Sequence, residues 1–182
     1  MHVLIIGAAG MVGRKLSAAL AKSGQLAGRA IERATLADVV EPAPAGLPNE
    51  ARVALDLSSP GAAASLVAAR ADMIFHLAAI VSGEAEADFD KGYRINLDGT
   101  RYLLEAVRQE GMKTPYFPRL VFTSSIAVFG APFPDAIGDE FFSTPLTSYG
   151  TQKAIGELLL NDYSRRGFVD GIGIRLPTIT VR

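Results

Sequence analysis

Three residues in the second half of the chain, Ser125, Tyr149 and Lys153, have the types that a proton transfer requires. Tyr149 and Lys153 are four positions apart in SYGTQK (148–153), so they share one face if this segment is helical. A free tyrosine has a pKa of about 10 and is a poor base at neutral pH, but a nearby ammonium group lowers that pKa. A serine hydroxyl can hold a substrate oxygen while the phenolate takes its proton. The tyrosine–lysine pair alone is more simply explained as a solvated helix surface, so the elements around it must decide.

The hydrophobic pattern predicts strands that alternate with helices. Short apolar runs rich in β-branched residues predict buried strands, and apolar residues repeated on one helical face predict helices. The predicted strands cover residues 3–7, 34–40, 51–57, 71–79, 119–125 and 171–181, and the predicted helices cover 11–24, 60–70, 85–111 (with possible interruptions at Gly92 and Gly99) and 147–167. This alternation predicts an α/β fold of three layers, a Rossmann-type, doubly wound parallel sheet with the strand order 3-2-1-4-5-6.

The motif GAAGMVG (7–13) follows the first predicted strand and opens the first predicted helix. In that context Gly7 would allow a tight turn, Gly10 would let the backbone approach a pyrophosphate, and Gly13 would let the helix pack close to the sheet. The phosphates would lie at the helix N-terminus, against N–H groups and the positive end of the helix dipole. The alternative is an ordinary turn between strand and helix that contains incidental glycines.

Two carboxylates follow the next two predicted strands. Asp38 would accept hydrogen bonds from both ribose hydroxyls of an adenosine and repel a 2′-phosphate, which favours NAD over NADP. Its alternative is a turn aspartate at the end of a strand. The side chain of Asp56 is equally consistent with binding the adenine amino group and with an Asx turn ahead of Pro60.

The fourth and fifth predicted strands end in HLAA (76–79) and TSS (123–125), where the open edge of an α/β sheet binds ligands. The small side chains of HLAA leave room for a flat cofactor, and His76 is expected to be a packed strand residue. Asn96 lies within a predicted helix, where it would anchor a buried water or a backbone carbonyl, or else be exposed.

The composition narrows the class of protein. The 182 residues carry a net charge of −1, no cysteine and two histidines, and they include no block of basic residues. We therefore expect no disulfide, no metal site and no nucleic-acid partner. No apolar run approaches the ~20 residues of a membrane span, and the N-terminus has no basic region typical of a signal peptide, so we expect no membrane association and a cytoplasmic location.

The order of seven motifs along the chain resembles that of the extended short-chain dehydrogenase/reductase family, also called the NAD-dependent epimerase/dehydratase family. These motifs are GAAGMVG, Asp38, HLAA, INLDGT, TSSIAVFG, PLTSYGTQK and RLPTI. The resemblance implies that NAD is the cofactor and that Ser125, Tyr149 and Lys153 form the catalytic set. Lys153 would also bind the nicotinamide ribose, and Pro177 and Thr178 would lie against the carboxamide. The remaining cofactor contacts that it implies are Met11, Val12, Leu57, Leu77, Ala78, Ala79, Asn96 and Thr123.

Longer strings around these motifs resemble a branch of the family that oxidises the 2-hydroxyl of a four-carbon sugar acid, such as D-erythronate, to the 2-keto acid. Ser82 and Ile126 would then line the substrate pocket with Ser125 and Tyr149. A nucleotide-sugar epimerase or dehydratase is the alternative, although dehydratases tend to carry an acidic pair beside the serine, which SSIA lacks. A non-catalytic dinucleotide-binding protein is less favoured, because it would not need Tyr149 and Lys153.

Family members are typically much longer than this chain. We therefore expect residues 1–182 to be an NAD-binding domain from the N-terminal part of a longer enzyme, with most of the C-terminal substrate part absent. The family also implies a homodimer, built by the helices that follow the fourth and fifth strands.

Overall fold

The computed structural model of the protein describes residues 1–138 and 141–179. A six-stranded sheet, with all neighbouring strands parallel, has the order β5-β4-β1-β6-β7-β8, which confirms the predicted order 3-2-1-4-5-6. The strands are β1 His2–Ile6, β2 Gln25–Leu26, β3 Arg29–Ala30, β4 Arg33–Asp38, β5 Glu50–Ala54, β6 Met73–His76, β7 Arg119–Ser125 and β8 Asp170–Leu176. Strands β2 and β3 form a separate antiparallel hairpin that the sequence pattern did not predict.

Helices connect the strands of the sheet. They are α1 Met11–Ser23, α2 Ala62–Val67, α3 Ser82–Ala87, α4 Phe89–Gly92, α5 Gly99–Lys113 and α6 Ser148–Arg165. The long helical segment predicted over residues 85–111 is divided in the structure into the end of α3, α4, a π-helical segment, Tyr93–Asp98, and most of α5. The predicted interruptions at Gly92 and Gly99 fall at the two ends of this segment. Such π-helical turns are frequent at functional sites.

The sheet is covered on both faces, which explains why β1 is apolar along its whole length. Successive side chains of a strand point to opposite faces. Val3 and Ile5 therefore pack in one apolar cluster with residues of α1, whereas Leu4 and Ile6 pack in another with residues of α2, α5 and α6. The three layers agree with the predicted fold class.

The glycine turn brings α1 unusually close to the sheet. Gly7 has a φ of +92°, and a Cβ there would lie 2.6 Å from the backbone nitrogen of Ala78. A Cβ on Gly13 would lie 2.1 Å from the carbonyl oxygen of Gly7. Both contacts are far shorter than van der Waals distance, so the predicted reasons for glycine at these two positions are confirmed.

We expect Gly13→Ala to lower the free energy of unfolding by about 1–3 kcal/mol, because the new methyl group forces α1 away from the Gly7 carbonyl. Gly83→Ala in α3 is the matched control, since a Cβ there meets nothing within 4 Å. The control should be neutral or more stable by about 0.5–1 kcal/mol. Urea unfolding of both variants tests this, and wild-type stability in Gly13→Ala would contradict the close approach.

Candidate active site and dinucleotide groove

A groove runs along the edge where the parallel strands end, and it has two sections that share Leu77 and Ala79. The outer section lies over the ends of β5, β4 and β1, and its lining includes Gly7, Gly10, Asp38, Asp56 and Ala78. The inner section lies over β6, β7 and β8, and its lining includes Met11, Val12, Thr123, Ser125, Tyr149, Lys153 and Pro177. Most of the residues predicted from the sequence are therefore brought together at one edge of the sheet.

Tyr149 lies in the first turn of α6, which begins beside the end of β7. Thr147 caps this helix, because its side-chain oxygen accepts the N–H of Gly150 at 3.0 Å. Ser125 is the last residue of β7, and its Oγ accepts the N–H of Ala127 at 3.1 Å. The side chains of Ser125 and Tyr149 line the same part of the groove, and the Ser125 side chain lies near enough to act on the pKa of Tyr149. The cap and the strand end together hold the two hydroxyls at one point of the groove.

Lys153 is almost completely buried beneath this pair, with 2% of its surface exposed. Its Nζ donates to the carbonyl oxygen of Thr123 at 2.7 Å and lies 4.8 Å from the ring centre of Phe122. Burial lowers the pKa of Lys153 to about 8, because a charged amine is poorly solvated in the protein interior. The side chain is thus a buried cation with one strong backbone partner.

The pKa of Tyr149 departs from the sequence-based expectation that Lys153 lowers it. Burial raises this pKa above its ordinary value, and the interaction with the Ser125 side chain only partly opposes the increase. The Lys153 ammonium is bonded to Thr123 and lies 5.8 Å from the tyrosine ring centre. Burial therefore has the larger effect, and the phenol of Tyr149 is protonated at neutral pH in this structure.

Asp38 is held rigidly at the end of β4. The backbone N–H of Ala9 donates to its Oδ2 at 2.8 Å, and the N–H of Val39 donates to its Oδ1 at 2.7 Å. An ionised carboxylate has about four acceptor positions, so these two bonds leave capacity for hydroxyl donors. The position fits the predicted contact with a ribose.

Asp56 adopts the Asx turn, one of its two predicted alternatives. Its Oδ1 accepts the backbone N–H of Ser58 at 2.9 Å and the hydroxyl of Ser58 at 2.6 Å. Its Oδ2 accepts Nη1 of Arg94 at 2.7 Å, an ion pair that the sequence pattern did not reveal. Burial raises the pKa of Asp56, but the bonds from Ser58 and Arg94 outweigh it and lower the pKa overall.

Asn96 is buried in the π-helical segment, as an anchor of a backbone group. Its Oδ1 accepts the N–H of Ile80 at 2.9 Å, and its Nδ2 donates to the carbonyl of Ile80 at 3.2 Å. Nδ2 also donates to Oε1 of Gln152 at 2.8 Å. Because its amide is bonded to protein on both sides and is absent from the groove lining, Asn96 supports the loop after β6. The structure thus gives Asn96 the predicted anchoring role and places it outside the groove lining, away from the predicted cofactor contacts.

Several predicted site residues lie elsewhere. Gly13 packs α1 against the turn, and Leu57 is buried in the apolar core, so neither residue lines the groove. Ser82 and Thr178 are exposed outside the groove lining. Ile126, predicted to line the substrate pocket, lies in an adjacent apolar pocket with Phe129, Phe133, Ile137 and Arg175.

His76 is fully buried, and Thr100 Oγ1 lies 2.9 Å from its Nε2. Burial, with a smaller contribution from the Lys153 charge, lowers the pKa of His76 to about 3, so its ring is neutral. It is the packed strand residue that the sequence predicted. Within residues 1–138 and 141–179, no group of His, Cys, Asp or Glu side chains is arranged to hold a metal ion. No helix in that same part of the chain is long and apolar enough to cross a membrane.

The start of α1 fits an anionic ligand. Gly10 precedes the helix without a side-chain cap, and the first turn carries no acidic residue. The first N–H groups of a helix lack partners within the helix and carry the positive end of its dipole. With Asp38 on one side and the serine–tyrosine pair on the other, the groove fits a dinucleotide whose phosphates lie at this turn.

Comparisons with known proteins agree with this reading. The sequence profile of the NAD-dependent epimerase/dehydratase family matches residues 3–180. The chain is 52% identical to a D-erythronate dehydrogenase of Cupriavidus necator and 44% identical to one of Haemophilus influenzae, over 100% of this chain and 56% of each relative. It therefore spans about half the length of these relatives.

Two solved structures have the same fold. A nucleoside-diphosphate-sugar epimerase from Agrobacterium tumefaciens is 69% identical, with a TM-score of 0.97 over 100% of this chain and 54% of the other. A UDP-glucose 4-epimerase from Brucella ovis in complex with NAD is 26% identical, with a TM-score of 0.78 over 96% of this chain and 51% of the other. These likenesses support the Rossmann-type fold.

The buried Lys153 gives a testable pH dependence of stability. Lys153 keeps its proton up to about pH 8 in the folded chain but up to about pH 10.5 in the unfolded chain, so the folded state binds fewer protons between these values. The free energy of unfolding of the wild type should therefore rise with pH in this window, relative to Lys153→Met, by about 3 kcal/mol at most. Urea unfolding of both proteins from pH 8 to 10.5 measures the difference, and a constant difference would contradict the lowered pKa.

Proposed function

This chain belongs to the NAD-dependent epimerase/dehydratase family, and from that premise we propose that the protein uses NAD to oxidise the 2-hydroxyl of a small sugar acid, D-erythronate or a close relative, to the 2-keto acid. The observation that carries the proposal is the grouping of Ser125, Tyr149 and Lys153 in the inner section of the groove. The 52% identity to a D-erythronate dehydrogenase over this whole chain supports the substrate class.

NAD would lie along the groove with its adenosine in the outer section and its nicotinamide in the inner section. Asp38 would hold the adenine ribose, the start of α1 would hold the pyrophosphate, and Lys153 would bind the nicotinamide ribose. A carboxylate at the end of β4 disfavours a 2′-phosphate, which supports NAD rather than NADP. Pro177 at the end of β8 would flank the nicotinamide.

The residues of the inner section would handle the proton of the substrate hydroxyl. Ser125 would orient the hydroxyl, and the phenolate of Tyr149 would take its proton as the substrate carbon is oxidised. When bound, NAD accepts the hydride from that carbon, and its positively charged ring favours the phenolate. Burial keeps the pKa of Tyr149 above its ordinary value. The positive charge of the nicotinamide would oppose this effect of burial.

A nucleotide-sugar epimerase is the second candidate. The observation that favours it is the 69% identity to a protein described as a nucleoside-diphosphate-sugar epimerase. The two candidates differ in their redox balance, because an epimerase returns the hydride to its substrate and a dehydrogenase releases NADH. A panel of sugar acids and nucleotide sugars, followed by the absorbance of NADH, separates them.

We expect the whole protein to form NADH with D-erythronate, and Tyr149→Phe to lower the rate by a factor of about 10²–10⁴, because the proton acceptor is lost. NADH binding, followed by its fluorescence, should remain. Tyr163→Phe is the matched control on the same helix, since its hydroxyl bonds to Glu105 at 3.1 Å outside the groove. Unchanged activity in Tyr149→Phe would refute the mechanism, and absence of D-erythronate turnover in the wild type would refute the substrate.

We also propose that residues 1–182 form one NAD-binding domain, that the protein is cytoplasmic, and that it is a homodimer built by α5 and α6. Two exposed apolar side chains support the dimer. Leu158 on α6 and Met112 near the end of α5 have 69% and 68% of their surface exposed. Apolar side chains with this much exposed surface gain stability when a second copy covers them.

In the dimer, Leu158→Glu should shift the protein to monomer, because it introduces a charge into the covered helix face. Leu146→Glu is the control, as Leu146 is 73% exposed but lies in the loop before α6. Light scattering coupled to size-exclusion chromatography gives both molar masses. A monomeric wild type, or a dimeric Leu158→Glu, would contradict this interface.

A further inference from the structure

The outer end of the groove contains a cation that the cofactor contacts described above do not use. Arg94, in the π-helical segment, lines the outer section together with Asp56, Val39 and Val40. Its Nη1 donates to Oδ2 of Asp56 at 2.7 Å and also to Oγ of Ser58. The guanidinium is therefore held in place by residues that follow β5. This strand forms the edge of the sheet on the side away from Tyr149.

The order of the strands indicates which part of a dinucleotide would lie beside Arg94. Asp38 ends β4, the glycine turn follows β1, and Ser125 ends β7. In the strand order β5-β4-β1-β6-β7, a dinucleotide with its phosphates over β1 and its ribose at Asp38 would have its adenine over the end of β5. That position is next to Asp56 and Arg94.

Asp56 already uses three of its about four acceptor positions. One carboxylate oxygen accepts two bonds from Ser58, and the other accepts the bond from Arg94. By contrast, Arg94 has five N–H donors, and its bonds to Asp56 and Ser58 involve Nη1 alone. Among the residues that the structure describes, Nη2 and Nε of Arg94 donate to none, and 48% of the side chain is exposed. Arg94 thus has more unused hydrogen-bonding capacity at this end of the groove than Asp56, and that capacity consists of donors.

The rest of the outer section suits a flat, weakly polar ring. Val39 and Val40 directly follow Asp38, and they line the groove with 63% and 59% of their surface exposed. An adenine ring offers apolar faces to such side chains and ring nitrogens that accept hydrogen bonds, and a guanidinium group can either donate to its edge or stack on its face.

We propose that Arg94, positioned by Asp56, binds the adenine base of the dinucleotide, and that Asp56 acts through Arg94 instead of accepting the adenine amino group itself. The proposal rests on the proposed binding of NAD, but not on the identity of the substrate. It assigns to the outer groove a binding residue for the base, next to the ribose contact of Asp38.

Binding measurements with three probes test this. NAD contains both halves of the dinucleotide, adenosine lacks the phosphates, and nicotinamide mononucleotide lacks the adenine. Arg94→Gln should weaken NAD and adenosine by about the same factor, on the order of tenfold, and leave nicotinamide mononucleotide unchanged. Calorimetry for NAD and competition against NADH fluorescence for the smaller probes give the dissociation constants. Equal binding of adenosine by wild type and variant would overturn the proposal. This includes the case in which the binding of NAD is weakened and that of adenosine is not.

Two further variants separate binding from folding. Arg101→Gln is the matched control, because Arg101 lies about two turns further along in α5, is 50% exposed and is paired with Asp98, but does not line the groove. It should bind all three probes as the wild type does, and an equal loss in this control would overturn the proposal. Arg94→Lys keeps the charge opposite Asp56 without the planar donors, so its thermal stability should be retained while adenosine binding stays weak. Full recovery of adenosine binding in Arg94→Lys would contradict the role of the guanidinium.

A double-mutant cycle tests the role of Asp56. If Asp56 acts through Arg94, the variant that combines Asp56→Asn with Arg94→Gln should bind adenosine no more weakly than Arg94→Gln alone. Multiplying losses would show that Asp56 contacts the base independently, and would overturn that part of the proposal. A wild type that does not bind NAD at all would instead refute the proposed function.

Discussion

The geometry of the candidate site depends on one buried contact, the hydrogen bond from the Lys153 ammonium to the carbonyl oxygen of Thr123. A buried charge without a partner is strongly unfavourable, so this bond constrains where α6 lies against the end of β7. Tyr149 is one turn earlier on the same face of α6, and Ser125 is two residues after Thr123. A single contact between helix and strand therefore brings the tyrosine and the serine together.

A second buried contact holds α6 at the neighbouring residue, Gln152. Gln152, directly before Lys153, accepts a bond from Asn96, which binds both backbone groups of Ile80. A Cβ on Gly92 would lie 2.8 Å from Nε2 of Gln152, so this glycine makes room for the amide. The helix that carries Tyr149 is thus bonded to β7 through Lys153, and to the loop after β6 through Gln152 and Asn96. Both of these elements line the inner section of the groove.

The sequence predicted the features that depend on local spacing. The strand order, the reasons for glycine at Gly7 and Gly13, and the placement of Tyr149 near Ser125 follow from periodicity and from the rule that parallel strands end at one edge. It did not predict the contacts between distant segments, such as Arg94 with Asp56 or Gln152 with Asn96, because nothing local marks them. The pKa of Tyr149 was also misjudged, since burial is a property of the packed structure and not of the spacing from Lys153.

We propose that one groove holds a dinucleotide with its nicotinamide end at Ser125 and Tyr149. A crystal structure of the protein with NAD tests this most directly. We expect the pyrophosphate at the start of α1, the adenine beside Arg94 at the end of β5, and the nicotinamide within contact distance of Tyr149. A dinucleotide bound in the opposite direction, or bound away from the glycine turn, would contradict it.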